Sequence, residues 1–199
     1  MPRMTLIGYR GSGKSSVAAR LADQLGCSWC DADDVLEQKA GTTITEFITT
    51  RGEPAFRDLE TDLLRQLLAT ESGVLATGGG VVLREENRRL LQNLGQPVIW
   101  LPAPAAVLRD RLAADPATVL RRPALSGGSV LDEVAATILA RAPLYQATAN
   151  AVIDVSTSPV AEVVARIIRW QTGLEDRSPD TEPPRPEVRP ISSISRALY

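Results

Sequence analysis

Short apolar runs alternate with longer amphipathic stretches along most of this chain. The runs predict strands at residues 4–7, 27–30, 74–77, 97–101 and 151–155. Helical spacing of apolar residues predicts helices over 14–25, 34–40, 44–51, 54–69, 85–94, 104–114, 129–149 and 159–170. This alternation is typical of a parallel sheet covered by helices on both faces. The pattern therefore predicts an α/β protein, with three layers (α/β/α) built around a mainly parallel five-stranded sheet.

Composition narrows the class of protein without identifying a reaction. The chain has 199 residues, 44% hydrophobic and 23% charged, which suits one globular domain. A net charge of −2 gives no reason to expect nucleic-acid binding. No apolar run approaches the roughly 18 residues that predict a membrane span, and the N-terminus lacks a signal-peptide pattern. We expect a cytoplasmic monomer that binds neither nucleic acid nor membrane.

The composition changes sharply after Trp170. The segment 171–199 is rich in proline and charge and poor in apolar residues, which predicts a disordered tail. A partner-binding peptide is the alternative reading of this segment. We therefore predict one domain over 1–170 followed by a Pro-rich tail over 171–199.

The segment from Gly8 to Ser15 reads GYRGSGKS and fits the phosphate-binding loop G-x-x-x-x-G-K-[ST]. A predicted strand precedes it and a predicted helix follows it, as the motif requires. In such a loop, backbone N–H groups and the helix dipole attract phosphate oxygens. Lys14 would reach the β- and γ-phosphates of a nucleotide, and the Ser15 hydroxyl would bind Mg²⁺. We expect Lys14 to face solvent until phosphate binds.

Two carboxylates, Asp31 and Asp33, follow the second predicted strand. Alternation along an extended backbone would project both to the same side at the ligand-binding edge of the sheet. One can hold Mg²⁺ through water and the other can accept hydrogen bonds from substrate hydroxyls. Capping of the next helix by Asp33 or Asp34 is the alternative.

Arg57 and Glu60 are three residues apart on a predicted amphipathic helix, so they lie on one face. Arg57 could present its planar fork to a substrate carboxylate while Glu60 orients it; a surface ion pair is the simpler interpretation.

The three glycines at 78–80 have low strand propensity although they follow a predicted strand. They predict that another group approaches the backbone closely there, and a plain flexible turn is the alternative.

Residues 115–129 contain two adjacent arginines, Arg121 and Arg122, among Gly, Ser and Ala. This composition predicts a basic lid that excludes water and brings a cation to a transferring phosphoryl group, with a solvated loop as the alternative. Arg141 adds another cation near a helix interruption.

Cys27 and Cys30 form a C-x-x-C, which we interpret as buried, unbridged thiols in the second strand rather than a redox pair.

In combination, these motifs resemble the shikimate kinase family over residues 4 to about 169. The matching segments are GYRGSGKS, the D-x-D pair, G-x-x-I-T-E-F with GEPAFRDLE, ATGGGVVL, RRPAL and RAPLY. The resemblance implies a P-loop kinase fold and transfer of the ATP γ-phosphoryl to the 3-hydroxyl of shikimate, on the route to chorismate and aromatic amino acids. It further implies a substrate-binding segment at about 33–60, a lid at about 115–129, and Mg²⁺ as cofactor.

The resemblance also assigns roles residue by residue. Catalysis falls to Lys14, Asp33 and Arg122, and Mg²⁺ binding to Ser15 and Asp31. Shikimate binding is implied for Asp33, Arg57, Glu60, Gly79, Gly80 and Arg141. ATP binding is implied for Gly11, Ser12, Gly13, Lys14, Ser15, Ser16, Arg111, Arg122 and Pro159.

The chain departs from the family pattern around the lid. Ala124 stands where the family usually has leucine, and the stretch from Arg111 to Arg122 is longer than expected. Arg109 therefore competes with Arg111 for the place beside adenine, and Arg121 competes with Arg122 in the lid. Another small-molecule kinase, acting on gluconate or a nucleoside monophosphate, is the alternative function, and a non-catalytic sensor of shikimate or nucleotide is a second.

Overall fold

The fold is described here from a computed structural model, which covers residues 1–114 and 130–173, with side chains from Val134 onward in the second range. The predicted lid at 115–129, with Arg121 and Arg122, lies outside the described residues. So do residues 174–199, which make up nearly all of the predicted tail.

Within the described ranges, all strands join one parallel sheet in the order β2-β3-β1-β4-β5. This confirms the predicted five-stranded α/β fold. The order places β1 at the centre, so the loops after β1 and β3 leave the sheet side by side. The strands are β1 Met4–Ile7, β2 Trp29–Asp31, β3 Val74–Ala76, β4 Val98–Trp100 and β5 Ala151–Val152.

Helices cover both faces of this sheet. Strand side chains alternate between two apolar cores, so that Leu6 packs with α1 and α7 while Ile7 packs with α3 and α4. None of the described helices combines the length and apolar character needed to cross a membrane. The helices are α1 Lys14–Leu25, α2 Ala32–Ala40, α3 Ile44–Thr70, α4 Glu85–Leu94, α5 Ala105–Ala114, α6 Val130–Thr148 and α7 Val160–Gln171, with a 3₁₀ turn at Val81–Leu83.

Several boundaries differ from the sequence prediction. The fifth strand ends at Val152 rather than at residue 155, and two other differences lie close to the phosphate loop. The second strand is shifted toward the C-terminus, to Trp29–Asp31 instead of 27–30, and α2 starts at Ala32 rather than residue 34 because Asp31 caps it. The two helices predicted at 44–51 and 54–69 are continuous in α3, with a kink at Gly52, whose φ is 83° and ψ is 159°. The kink falls where the sequence predicted an interruption.

Candidate active site

The loop between β1 and α1 wraps around the side chain of Lys14. Its Nζ donates hydrogen bonds to the carbonyl oxygens of Gly8 and Tyr9, both at 3.0 Å. Gly13, at φ 84°, turns the chain into α1 directly before Lys14. The first turn of α1 therefore starts at the loop, as the phosphate-binding motif requires.

The expectation that Lys14 faces solvent is wrong. Lys14 is only 8% exposed, because the loop backbone closes over the ammonium group. Burial lowers the pKa of Lys14 from its usual value, although the nearby negative charges of Asp33 and Asp31 oppose this shift. The loop thus holds a poorly solvated cation for which a phosphate group would be a strong partner.

Asp31 links the phosphate loop to α2. The Ser15 hydroxyl donates a hydrogen bond to Asp31 Oδ2, and Asp31 Oδ1 accepts one from the backbone N–H of Asp33 at 2.9 Å. Asp31 is therefore the N-cap of α2, so the alternative of capping by Asp33 or Asp34 is wrong. The extended geometry expected for Asp33 is also wrong, because that residue belongs to the first turn of the helix.

The Ser15–Asp31 pair offers hard oxygen ligands of the kind that Mg²⁺ prefers. Across 1–114 and 130–173, no group of three or more His, Cys, Asp or Glu side chains is arranged to hold a metal ion. A cation at this pair would therefore take its remaining ligands from bound phosphate or water.

The glycine turn after β3 is surrounded by the predicted site residues. Thr77 anchors the turn by donating from Oγ1 to the carbonyl of Leu6 at 3.0 Å. A Cβ added at Gly79 would lie 3.0 Å from the backbone nitrogen of Arg10, and one added at Gly80 would lie 2.8 Å from Arg57 Cζ. The predicted close approach to this backbone is thus confirmed, and it comes from two sides.

Asp33 reaches the same turn from α2. A Cβ at Gly78 would lie 2.6 Å from Asp33 Oδ1 and 3.1 Å from Glu60 Oε1. The D-x-D segment, α3 and the phosphate loop therefore converge on three consecutive glycines at one edge of the sheet.

Arg57 and Glu60 form a buried ion pair, so the reading of a surface pair is wrong. Arg57 Nη1 lies 2.8 Å from Glu60 Oε2, and each side chain is 8% exposed. Glu53 also contacts this guanidinium, at 2.9 Å from Nη2. Burial disfavours the charged guanidinium, but the attraction of Glu60 and Glu53 outweighs it and raises the pKa of Arg57.

Arg141 approaches the turn from α6 on the other side. Its Nη1 donates to the carbonyl of Gly79 at 3.1 Å, and its guanidinium lies 5.8 Å from the centroid of the Tyr9 ring. Tyr145, one helical turn later, donates its hydroxyl to the same carbonyl at 2.5 Å and stacks on Trp100. Burial raises the pKa of Tyr145 to about 12, although the nearby Arg141 charge opposes the shift.

Sequence reasoning gave no role to Tyr145, Tyr9 or Glu53. The i,i+4 spacing of Arg141 and Tyr145 was a usable signal, because it places both on one face of α6. The same spacing relates Glu53 to Arg57. The contact of Tyr9 with Arg141 joins distant parts of the chain and left no local pattern.

Arg111 binds the loop between β5 and α7. Its Nη2 donates to the carbonyl of Val155 at 2.6 Å, in the loop that leads to Pro159 at the start of α7. Arg109 instead pairs with its neighbour Asp110. Arg111 and not Arg109 is therefore bound to the loop that ends at Pro159, and the choice between them for a place beside adenine stays a prediction.

The two cysteines are free and partly buried rather than fully buried. Burial, with the nearby charges of Glu71, Asp31 and Asp34, raises the pKa of Cys30 to about 11. A thiol that stays protonated at neutral pH is a poor nucleophile, which agrees with the prediction of unbridged thiols.

The fold and site define a phosphate-loop α/β protein in which the loop faces an arginine-lined glycine turn. A family model for shikimate kinase matches residues 10–172. The chain therefore belongs to the shikimate kinase family.

Individual relatives agree with this assignment. The chain is 46% identical to a shikimate kinase from Nitratidesulfovibrio vulgaris, covering 83% of this chain and 93% of that protein. It is 41% identical to one from Oleidesulfovibrio alaskensis, covering 85% and 96%. The structure of Acinetobacter baumannii shikimate kinase in complex with shikimate superimposes with a TM-score of 0.78 at 29% identity, covering 86% of this chain and 93% of that one.

Proposed function

We propose that this protein transfers the γ-phosphoryl group of ATP to the 3-hydroxyl of shikimate, forming shikimate 3-phosphate for chorismate and aromatic amino-acid biosynthesis. One observation carries the proposal beyond family membership. The glycine turn at 78–80 touches the phosphate loop on one side and Arg57, Arg141 and Asp33 on the others. A phosphate donor and a hydroxylated carboxylic acid would therefore meet at the same point.

Nucleotide phosphates would bind the backbone N–H groups of Gly11, Ser12 and Gly13 and the start of α1, including Ser15 and Ser16. Lys14 would exchange its two backbone carbonyl partners for phosphate oxygens, which better compensate a buried cation. Arg111 and Pro159 would flank the adenine, because both border the loop between β5 and α7.

Ser15 and Asp31 would hold Mg²⁺, and their oxygen ligands fit that ion. When bound, Mg²⁺ would neutralise charge on the ATP phosphates. Asp31 is suited to this role because its carboxylate caps α2, and the hydrogen bond from the backbone N–H of Asp33 fixes the carboxylate in place.

The carboxylate of shikimate would bind Arg57 and Arg141, which approach the glycine turn from α3 and α6. Glu60 would orient Arg57, and the backbone of Gly79 and Gly80 would contact the ring. Asp33 would hold the ring hydroxyls and accept the proton of the attacking hydroxyl. The phosphoryl-transfer transition state demands little basicity, so a carboxylate suffices.

The proposal also includes Arg122 in the predicted lid, and the role of this residue rests on the sequence alone. Arg122 would stabilise charge on the transferring phosphoryl group together with Lys14. Location in the cytoplasm, the monomeric state and the absence of nucleic-acid or membrane partners also stay predictions.

Purified protein tests the reaction directly. ADP release should require shikimate and Mg²⁺, and ³¹P and ¹H spectra of the product should place the new phosphate on the 3-hydroxyl. Gluconate and nucleoside monophosphates should give no turnover above background. Equal turnover with gluconate, or none with shikimate, would reject the proposal.

Lysine substitutions test the proposed binding of the shikimate carboxylate by Arg57 and Arg141, which together we call the arginine clamp. Arg57→Lys and Arg141→Lys keep the charge but lose the fork, so shikimate binding should weaken about 10-fold or more while ATP binding changes little. Lysine is preferable to alanine at residue 57, because alanine would leave Glu60 buried without its partner. Arg65→Lys is the matched control, since Arg65 lies exposed on the same helix and should tolerate the change. Equal weakening of both ligands would contradict the clamp.

A further inference from the structure

Arg57 binds two glutamate carboxylates that differ in their exposure to solvent. Glu60 Oε2 binds Nη1 at 2.8 Å, while Glu53 Oε1 binds both Nε, at 3.3 Å, and Nη2, at 2.9 Å. Glu60 is buried with its arginine, whereas the Glu53 side chain is 55% exposed. The same cation therefore has one fixed partner and one at the surface.

The position of Glu53 matters because a guanidinium presents paired N–H groups along only two usable edges here. Glu53 occupies the Nε–Nη2 edge, and Glu60 is bound to Nη1. Because Glu60 already holds Nη1, a carboxylate that binds Arg57 with both oxygens has to use the Nε–Nη2 edge, where it meets Glu53. Binding through the fork thus requires Glu53 to leave.

Glu53 can leave at little cost, but Glu60 cannot. An exposed carboxylate regains water when it moves, so a half-exposed ion pair changes an equilibrium by only about 5-fold or less. Glu53 also directly follows the kink at Gly52, where the helical backbone is already interrupted. Glu60 lies within the regular part of α3, and breaking its buried pair would leave an uncompensated charge.

We propose that Glu53 is a displaceable stand-in for the substrate carboxylate: it pairs with Arg57 in the empty site and is expelled when shikimate binds. This inference rests on the proposed function of Arg57. Glu53 accepts the Nε and Nη2 hydrogen bonds of the poorly solvated guanidinium between turnovers. The free energy of breaking this ion pair is subtracted from that of substrate binding.

The test is whether Glu53→Gln binds shikimate more tightly or more weakly than the unchanged protein. Glu53→Gln keeps the shape but removes the competing charge, so shikimate should bind about 2- to 5-fold more tightly in calorimetric titrations, the equivalent of one half-exposed ion pair. KM for shikimate should fall by the same factor while kcat and ATP affinity stay unchanged. The melting temperature should fall in the empty protein, and the deficit should shrink at saturating shikimate.

Asp58→Asn is the matched control, because it removes one charge from the neighbouring exposed residue, which pairs with Arg84 instead. It should leave shikimate affinity unchanged. Equal tightening in both variants would reduce the effect to net charge and overturn the proposal. Unchanged or weaker binding in Glu53→Gln would also overturn it, making Glu53 a bystander or a support for Arg57.

Arg57→Lys separates this inference from the proposed function. If shikimate binding does not weaken in Arg57→Lys, the clamp itself is wrong. If it weakens but Glu53→Gln fails to tighten binding, the clamp stands and only the displacement of Glu53 is rejected.

Discussion

At the scale of single residues, Lys14 is a buried cation in an electrostatically unfavourable position. Its ammonium is held by two neutral carbonyl oxygens, and burial lowers its pKa despite two nearby aspartates. A group whose charged form is disfavoured on folding reduces stability at neutral pH. Bound phosphate would reverse this effect, so the residue required for turnover is expected to weaken the empty protein.

This gives a prediction for Lys14→Met, which keeps much of the side-chain volume without the charge. Turnover should fall by roughly 10³-fold or more, because the cation on the transferring phosphates is lost. The free energy of unfolding at pH 7, from urea titration, should be equal to or higher than that of the unchanged protein.

The pH dependence of that stability difference is the sharper measurement. The unfolded chain retains the Lys14 proton at higher pH than the folded protein, so the Lys14 contribution to stability rises as pH climbs toward 10.5. The gain in unfolding free energy of Lys14→Met over the unchanged protein should therefore shrink as the pH rises from 7 toward 10.5. Arg20→Met, at an exposed cation on the same helix, should alter neither turnover nor this profile. Near-native turnover in Lys14→Met would reject the loop assignment.

At the scale of elements, the glycine turn after β3 determines how closely α3 can approach. Gly80 has φ −102° and ψ 0°, which alanine adopts without strain, so any effect of a side chain there must come from its neighbours. An added Cβ would lie 2.8 Å from Arg57 Cζ. That guanidinium is buried and held by its ion pair with Glu60, so it cannot retreat without straining that pair.

We therefore predict that Gly80→Ala displaces Arg57. The strain should be on the order of 1–3 kcal/mol, seen as weaker shikimate binding and a lower melting temperature with ATP affinity retained. A double-mutant cycle checks the cause: in an Arg57→Lys background, which lacks the guanidinium, Gly80→Ala should cost less. Additive effects would place the damage elsewhere in the turn.

The elements also show how far sequence reasoning reaches. The parallel five-stranded sheet, the phosphate loop and the crowded glycines follow from local signals, namely apolar runs, motif spacing and glycines where a strand should continue. The end of β2 was misplaced because Asp31 belongs to two patterns at once, strand end and helix cap. The burial of Lys14 and the contact of Tyr9 with Arg141 depend on tertiary packing, which periodicity does not encode.

At the scale of the whole molecule, the site lies at the junction of the two apolar cores. The phosphate loop is supported by the core that contains α1 and α7, and the arginine clamp by the core that contains α3 and Tyr145. The last of these helices, α7, contributes Val163, Val164 and Ile167 to the first core. Its C-terminal end is closed by hydrogen bonds from Thr172 and Gly173 to preceding carbonyls.

We propose that the catalytic domain ends at this cap, and we predict that a protein of residues 1–173 retains full activity. The family match also ends there, at residue 172. Removing 174–199 should leave kcat and both KM values within about twofold, because every residue to which we assign a role lies before residue 174. A protein of residues 1–158, which lacks α7, is the control: it should unfold or melt far lower because the first core is opened. Loss of activity in the 1–173 protein, with its melting temperature unchanged, would assign the last 26 residues a role in catalysis.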